Sequence, residues 1–268
     1  MNTDVEPGLP GVKSRRPGGG GGPVRAALCG VLVAPSVLAV SPMITDDGDT
    51  VPKNRLQLIT GMIYTSAESL QGWTLPVVPT FGLSDRWEAG VSFGYQWQKV
   101  EEAGGFETSD GVVDTLLTTK WKWADQSRLG VTLSSRLTLK IPTAVPERAL
   151  GTGKTDVGAL MVATKSFGST SLDFNVGYTF LDAWGTGIGD DELFLAQDVR
   201  HRINDRWVLM AEVFGRVPVE TSGGATVSFN EGVQYFLTSN LDLETAVLTT
   251  IGTGDPSVSV YLGLTCLF

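Results

Sequence analysis

Cysteine and histidine are almost absent from this chain of 268 residues, and each shortage closes off chemistry. The two cysteines, Cys29 and Cys266, can build neither a disulfide framework nor a four-ligand zinc site. The single histidine, His201, leaves little scope for proton-shuttling catalysis. Charged residues make up only 18%, and the formal net charge of −9 argues against a nucleic-acid partner, because phosphate binding needs a basic face. No apolar run reaches the length of a spanning helix. The longest, Ala26 to Val40, is about fifteen residues, contains Pro35 and follows Arg25, as an export leader does.

Glycine, at 33 residues, and period-two alternation are what the chain has in quantity. In the last segment Val258, Val260, Leu262, Leu264, Cys266 and Phe268 fall on one face. Ser259, Tyr261, Gly263 and Thr265 fall on the other, with Leu267 as the one large apolar residue among them. An aromatic terminus on the apolar side resembles the closing strand of bacterial outer-membrane barrels. The same alternation runs through Trp87–Gln98, Arg128–Ile141 and Leu172–Phe180. Counting such runs gives about twelve strands of the length that tilted membrane strands need. They are expected near 54–66, 73–83, 87–98, 111–123, 128–141, 154–165, 171–182, 191–202, 206–218, 225–237, 241–251 and 257–268. Leu160, Val162 and Glu231 interrupt the pattern in two of them.

The connections alternate in length. Residues 84–86, 124–127, 168–170, 203–205 and 238–240 read as tight turns. Residues 99–110, 142–153 and 182–190 read as longer loops. An even-stranded barrel with both termini in the periplasm places short turns there and long loops outside. Trp87, Trp121, Trp123 and Trp207 flank the short turns, while Tyr64, Trp73, Trp97, Tyr178 and Phe180 sit at the other strand ends. Two aromatic girdles follow, at the two headgroup levels.

These patterns define an all-β, transmembrane, antiparallel up-and-down β-barrel of the outer-membrane type. Residues 1–39 are read as the leader, with an atypically long lead-in that a start near Val24 would shorten. Residues 40–53 are read as a periplasmic N-terminal segment and 54–268 as the barrel. Outer-membrane lipids and the barrel-assembly machinery are the expected partners, with Phe268 as the assembly signal. Charges on the lipid face are costly, so strand parity assigns Asp114, Lys120, Lys122, Arg128, Arg136, Lys140, Asp173, Glu212, Arg216, Asp242 and Glu244 to the lumen.

The stretch Ile141-Pro142-Thr143 through Leu150-Gly151-Thr152-Gly153-Lys154-Thr155-Asp156-Val157-Gly158 resembles the outer-membrane barrel family named for the MetA pathway of phenol degradation. Thr45-Asp46-Asp47-Gly48-Asp49-Thr50 and Trp207–Glu212 fit the same pattern. The resemblance implies passive passage of small, hydrophobic or aromatic molecules across the outer membrane, with no cofactor and no catalytic residues to carry over. Two other functions compete: a structural or adhesive barrel with a plugged lumen, and an outer-membrane hydrolase built around His201. Gly153-Lys154-Thr155 is not a P-loop, because Arg148 stands where the first glycine belongs. The acidic runs Glu101, Glu102, Glu107, Asp110 and Asp190, Asp191, Glu192 suit solvated loops, with divalent-cation binding as the alternative.

Overall fold

A computed structural model describes residues 42–102, 105–183, 191–219, 224–252 and 256–268. The expected leader and its cut therefore lie outside the described residues. The strands are β1 (Leu56–Ala67), β2 (Leu70–Ser84), β3 (Trp87–Glu102), β4 (Gly105–Val112) and β5 (Thr115–Ala124). They continue as β6 (Thr132–Ile141), β7 (Asp156–Phe167), β8 (Thr170–Phe180) and β9 (Glu192–Arg202). The last four are β10 (Trp207–Pro218), β11 (Thr226–Thr238), β12 (Leu241–Gly252) and β13 (Ser257–Leu267).

Every neighbouring pair is antiparallel, and β1 pairs with both β13 and β2, which closes the sheet into a ring. The barrel is a closed one of 12 strands, because β4 and β5 share a single place in the wall. Against β3, β4 covers Tyr95–Glu102 and β5 covers Trp87–Ser92. Here the sequence reading needs correction. Residues 99–102 and 105–110 are not a plain loop: β3 and β4 stay paired beyond the main wall. The expected strand 111–123 is broken at Val113 and Asp114, both of which turn into the interior.

A chain in hydrocarbon has no water to satisfy its backbone, so closure of the ladder is obligatory. The same solvent sorts the side chains. Met62, Phe93, Leu137, Met161, Phe174, Phe229 and Leu262 are exposed on the outside. Lys120, Ser134, Lys140, Asp173, Asn175, Asp198, Glu212 and Glu244 are buried on the inside. Glu231 departs from this rule and faces outward, opposite Ala211 and Val247. Both girdles form: Trp87, Trp121 and Trp123 stack in series near two short turns, with Trp207 on Tyr235 at the same level. At the other rim Tyr64 meets Trp73, Tyr95 meets Trp97 and Tyr178 meets Phe180.

Arg128 is a second correction. It belongs to one helical turn, Gln126–Leu129, ended by Gly130 at φ 76°, and is exposed beside the strand start rather than in the lumen. The Asp-Gln-Ser-Arg stretch satisfies its backbone locally, so β6 begins only at Thr132. The interruptions at Leu160 and Val162 are explained differently. Both are buried inside the barrel, in a cluster with Phe194, Ala196 and Phe214.

The terminal residue completes the seam. Phe268 and Leu56 exchange both backbone hydrogen bonds, Arg55 donates to the carbonyls of Leu267 and Phe268, and the Phe268 ring is exposed on the outer surface. Deleting Phe268 removes the ring and this closing pair together. We expect outer-membrane insertion to fall while export to the periplasm is unchanged. Heat-modifiable mobility of the membrane fraction measures this, and undiminished heat-modifiable protein would contradict the topology.

Candidate functional site: the lumen and its N-terminal segment

Residues 43–52, read from sequence as part of a periplasmic segment, lie inside the barrel. The segment crosses the half that carries the short turns and reaches mid-depth at Glu212 and Asn230. It belongs to neither helix nor sheet, so its backbone groups need partners from the wall. The Glu212 carboxylate supplies the most. It accepts from the Ile44 and Thr45 amides, both at 2.7 Å, and from the Thr45 hydroxyl at 2.6 Å. Asn230 donates both to Glu212 and to the Pro42 carbonyl, bridging wall and segment. Asn175 makes a reciprocal pair with the Asp46 backbone, at 2.8 Å in each direction.

Further along, the Gly48 amide donates to Thr164, and Ser134 donates to the Gly48 carbonyl. While Thr132 keeps its methyl, space favours glycine here: a Cβ at Gly48 would lie 2.8 Å from that methyl. The Val51 amide donates to Glu88 where the segment leaves the lumen.

Charge complements these bonds. Asp46 lies 3.1 Å from Lys120 and 2.9 Å from Arg136. Asp47 lies 3.7 Å from Arg200, and Asp49 3.1 Å from Lys122. Arg200 also meets Asp198 at 2.6 Å and Asp173 at 3.6 Å. Burial pushes the Asp46 carboxyl up, but Lys120, Arg136 and Arg200 outweigh it and hold it below the ordinary value of 3.8. The segment therefore carries its aspartates as anions matched to wall cations.

Apolar contacts finish the seating. Met43 packs with Val208, Met210, Ala246 and Tyr261, and Ile44 packs on the cluster around Val162 and Phe214. Lumen-facing hydrophobics that look misplaced in a polar pore are covered by this segment.

Ten of the eleven residues assigned to the lumen by parity point inward, Arg128 being the exception. They do not line one open pore. Lys120, Lys122, Arg136 and Glu212 hold the segment directly, and Asp173 does so through Arg200 and Thr164. Lys140 pairs with Asp156 and lies 3.8 Å from Asp114, in the long-loop half. Arg216 pairs with Glu192 at 2.5 Å nearby. Asp242 and Glu244 sit beside the segment on β12. Glu88, Asn175, Asp198, Arg200 and Asn230 were not singled out from sequence, although all share the lumen parity of their strands.

Near the other rim, residues 142–155 are held against the β3–β4 hairpin. Gln98 donates to the Arg148 and Ala149 carbonyls, the Ala144 amide donates to Asp114 at 3.1 Å, and Lys140 donates to Thr152 at 2.7 Å. A Cβ at Gly151 would meet both Ala144 and Asp114 at 2.7 Å. The Pro-Thr through Gly-Thr-Gly-Lys-Thr-Asp stretch is thus a loop anchor, and Lys154 forms a surface ion pair with Asp182. His201 is exposed at the short-turn end and shares a 2.8 Å hydrogen bond with Thr170. Asp191 accepts from the Tyr178 hydroxyl and the Leu181 amide. Among the described residues no group of acidic, histidine or cysteine side chains is arranged to hold a metal ion. Asp190 lies outside them.

No protein-family profile matches the sequence, and no curated protein is similar to it. Solved structures are similar in fold. An outer membrane channel of Pseudomonas putida F1 matches with a TM-score of 0.67 at 15% identity, over 83% of this chain and 98% of that one. The NanC porin matches at 0.55 and 11% identity, over 78% of this chain and 98% of that one. The KdgM porin matches at 0.53 and 8%, with the same coverage of 78% and 98%. At these identities the likeness establishes architecture. The chain is an outer-membrane β-barrel of 12 strands.

Two outcomes follow from the seating. Glu212→Ala removes the acceptor of three hydrogen bonds from the segment, and bonds to charged groups contribute about 1.5–3 kcal/mol each. The segment should detach at neutral pH, read as a several-fold rise in single-channel conductance. In wild type the Asp46 ion pairs are present above the ordinary aspartate range and are lost only as pH falls through the lower folded-state value. Loss of the Asp46 pairs should raise conductance as pH falls below about 4.

Proposed function

We propose that this barrel is an outer-membrane channel for passive passage of small molecules, hydrophobic or aromatic ones among them, restricted by its own N-terminal segment. The observation that carries the proposal is a lumen only partly filled. The segment occupies the side lined by β5 to β11 and leaves a cavity of about 370 Å³ toward β1, β2, β3 and β13. Eight-stranded barrels fill their interior with side chains and sixteen-stranded ones leave a wide channel, so 12 strands with an inserted segment suit a narrow passage. On β1 and β2 the cavity is lined by the uncharged Gln57, Ile59, Val78 and Thr80, while Glu88, Asp242 and Glu244 bring charge to it from β3 and β12. The uncharged wall supports a solute carrying some apolar surface.

The fold likeness to structures described as channels and porins supports the same reading, as does the sequence resemblance to the MetA-pathway barrels. The solute would move down its gradient, with no cofactor. The density of bonds on the segment favours one rival, a barrel whose lumen is permanently plugged for a structural or adhesive role. The hydrolase reading draws no support from His201, which is bonded to Thr170 at the outer rim of the short-turn end.

Planar-bilayer recording separates the two remaining readings. The channel reading expects small, stable conductance from the intact barrel and a several-fold larger one after deletion of residues 43–52. Silence from both proteins would favour the permanently closed barrel.

A further inference from the structure

Hydrocarbon offers no partner to a long polar side chain, so such side chains are rare on the outer wall of a membrane barrel at mid-depth. Gln197 on β9 and Glu231 on β11 break that rule. Both are exposed on the lipid side, Gln197 between Phe174 and Val213 and Glu231 between Ala211 and Val247. Among the described residues neither side chain makes a hydrogen bond or an ion pair. Several short outward hydroxyls do find partners: Thr60 donates to the Pro76 carbonyl, Thr245 to the Tyr261 carbonyl, and Thr119 and Ser135 accept from Trp87 and Trp123. Glu231 lies four residues from Tyr235 of the short-turn girdle, about 10 Å deeper along a tilted strand, well inside the hydrocarbon.

Register brings the two groups to one depth. The row of opposed residues that begins at Thr170, at the short-turn end of β8, runs through His201, Leu209 and Val233 to Thr245 in the interior of β12. Each step across the wall toward β12 therefore leads away from the short turns. Gln197, Val213 and Phe229 form such a row, and Glu231 lies two residues from Phe229, back toward the short turns. The rise across the wall and the fall along the strand offset each other. Gln197 and Glu231 are left level and about 12 Å apart. Between them the outward side chains are Ala211 and Val213 of β10.

We propose that this face of β9, β10 and β11 is the interface with a second copy of the chain, in a two-fold dimer whose axis runs along the membrane normal past Ala211. Both copies share one orientation in the membrane, and such an axis keeps every residue at its own depth while exchanging left for right. Glu231 of each copy then meets Gln197 of the other. The carboxyl oxygen accepts from the amide NH2 twice over, once on each side of the axis. Wall curvature suits the same arrangement. Two convex walls approach most closely at the axis, where Ala211 is small, and part at the flanks, where Gln197 and Glu231 are long enough to span the gap. A lipid acyl chain would cover this surface without satisfying either group.

Cross-linking in isolated outer membranes tests this, on the full barrel in a Cys266→Ser background. With a membrane-permeant oxidant, Ala211→Cys should give a disulfide-linked pair of chains. Phe93→Cys, exposed on the opposite wall, should not. Adding Glu231→Leu should lower the Ala211→Cys yield about fivefold or more. Exchanging the two groups, Glu231→Gln with Gln197→Glu, should restore the yield, a rescue that a folding defect would not give. Gln197→Leu provides the same test if Glu231→Leu fails to give a heat-modifiable barrel. Three results would overturn the interface: an Ala211→Cys yield no greater than that of Phe93→Cys, a yield indifferent to the leucine substitutions, or an exchange that restores nothing. A cross-link to a different protein would overturn the second copy as its occupant.

Discussion

Hydrocarbon accepts no unpaired polar group, and that single constraint shapes everything inside this barrel. It closes the backbone ladder and turns nearly every strand charge inward, where Lys120, Lys122, Arg136 and Arg200 come together on β5, β6 and β9. A wall so charged needs counter-ions. Asp46, Asp47 and Asp49 of the N-terminal segment supply three of them, and Glu212 in turn satisfies the amides that the segment brings with it. The filled half of the lumen is thus a consequence of the lipid outside.

The barrel itself was legible because its solvent imposes a strict period. Strand parity placed Lys120, Lys140, Glu212 and Glu244 indoors from sequence alone, and the tryptophans beside short turns marked one membrane level. Where local chemistry competes with the period, parity fails. Arg128 lies in a helical turn that ends at Gly130, and residues 99–102 and 105–110 keep pairing above the membrane, where solvent no longer rewards alternation. Leu160 and Val162 read as interruptions of the pattern, because an interior apolar residue makes sense only once something covers it. What covers it has no period at all. The segment at 43–52 is held by side chains from many strands, and the sequence reads it as part of a periplasmic segment.

Function follows from how unevenly the lumen is used. One side is filled and charge-paired, while the other keeps a cavity bordered by β1 and β2, whose lumen faces carry no charged group at that depth. The loop anchored through Asp114, Lys140 and Gly151 braces the rim opposite the short turns. On the proposed channel reading, passage would be set by the fit of the segment and selectivity by the wall that it leaves bare.

The central claim is that residues 43–52 sit in the lumen of the membrane-inserted protein and throttle it. A Cβ at Gly48 would lie 3.2 Å from that of Thr132, and a shift of a few tenths of an ångström brings the pair into disulfide range. The double variant Gly48→Cys, Thr132→Cys, with Cys266→Ser to remove the native thiol, should oxidise to a single internal disulfide in the outer membrane. Its conductance should stay low even in acid while oxidised, and should regain its rise below about pH 4 on reduction. Failure of the disulfide to form in the inserted barrel, or conductance indifferent to its reduction, would contradict the account.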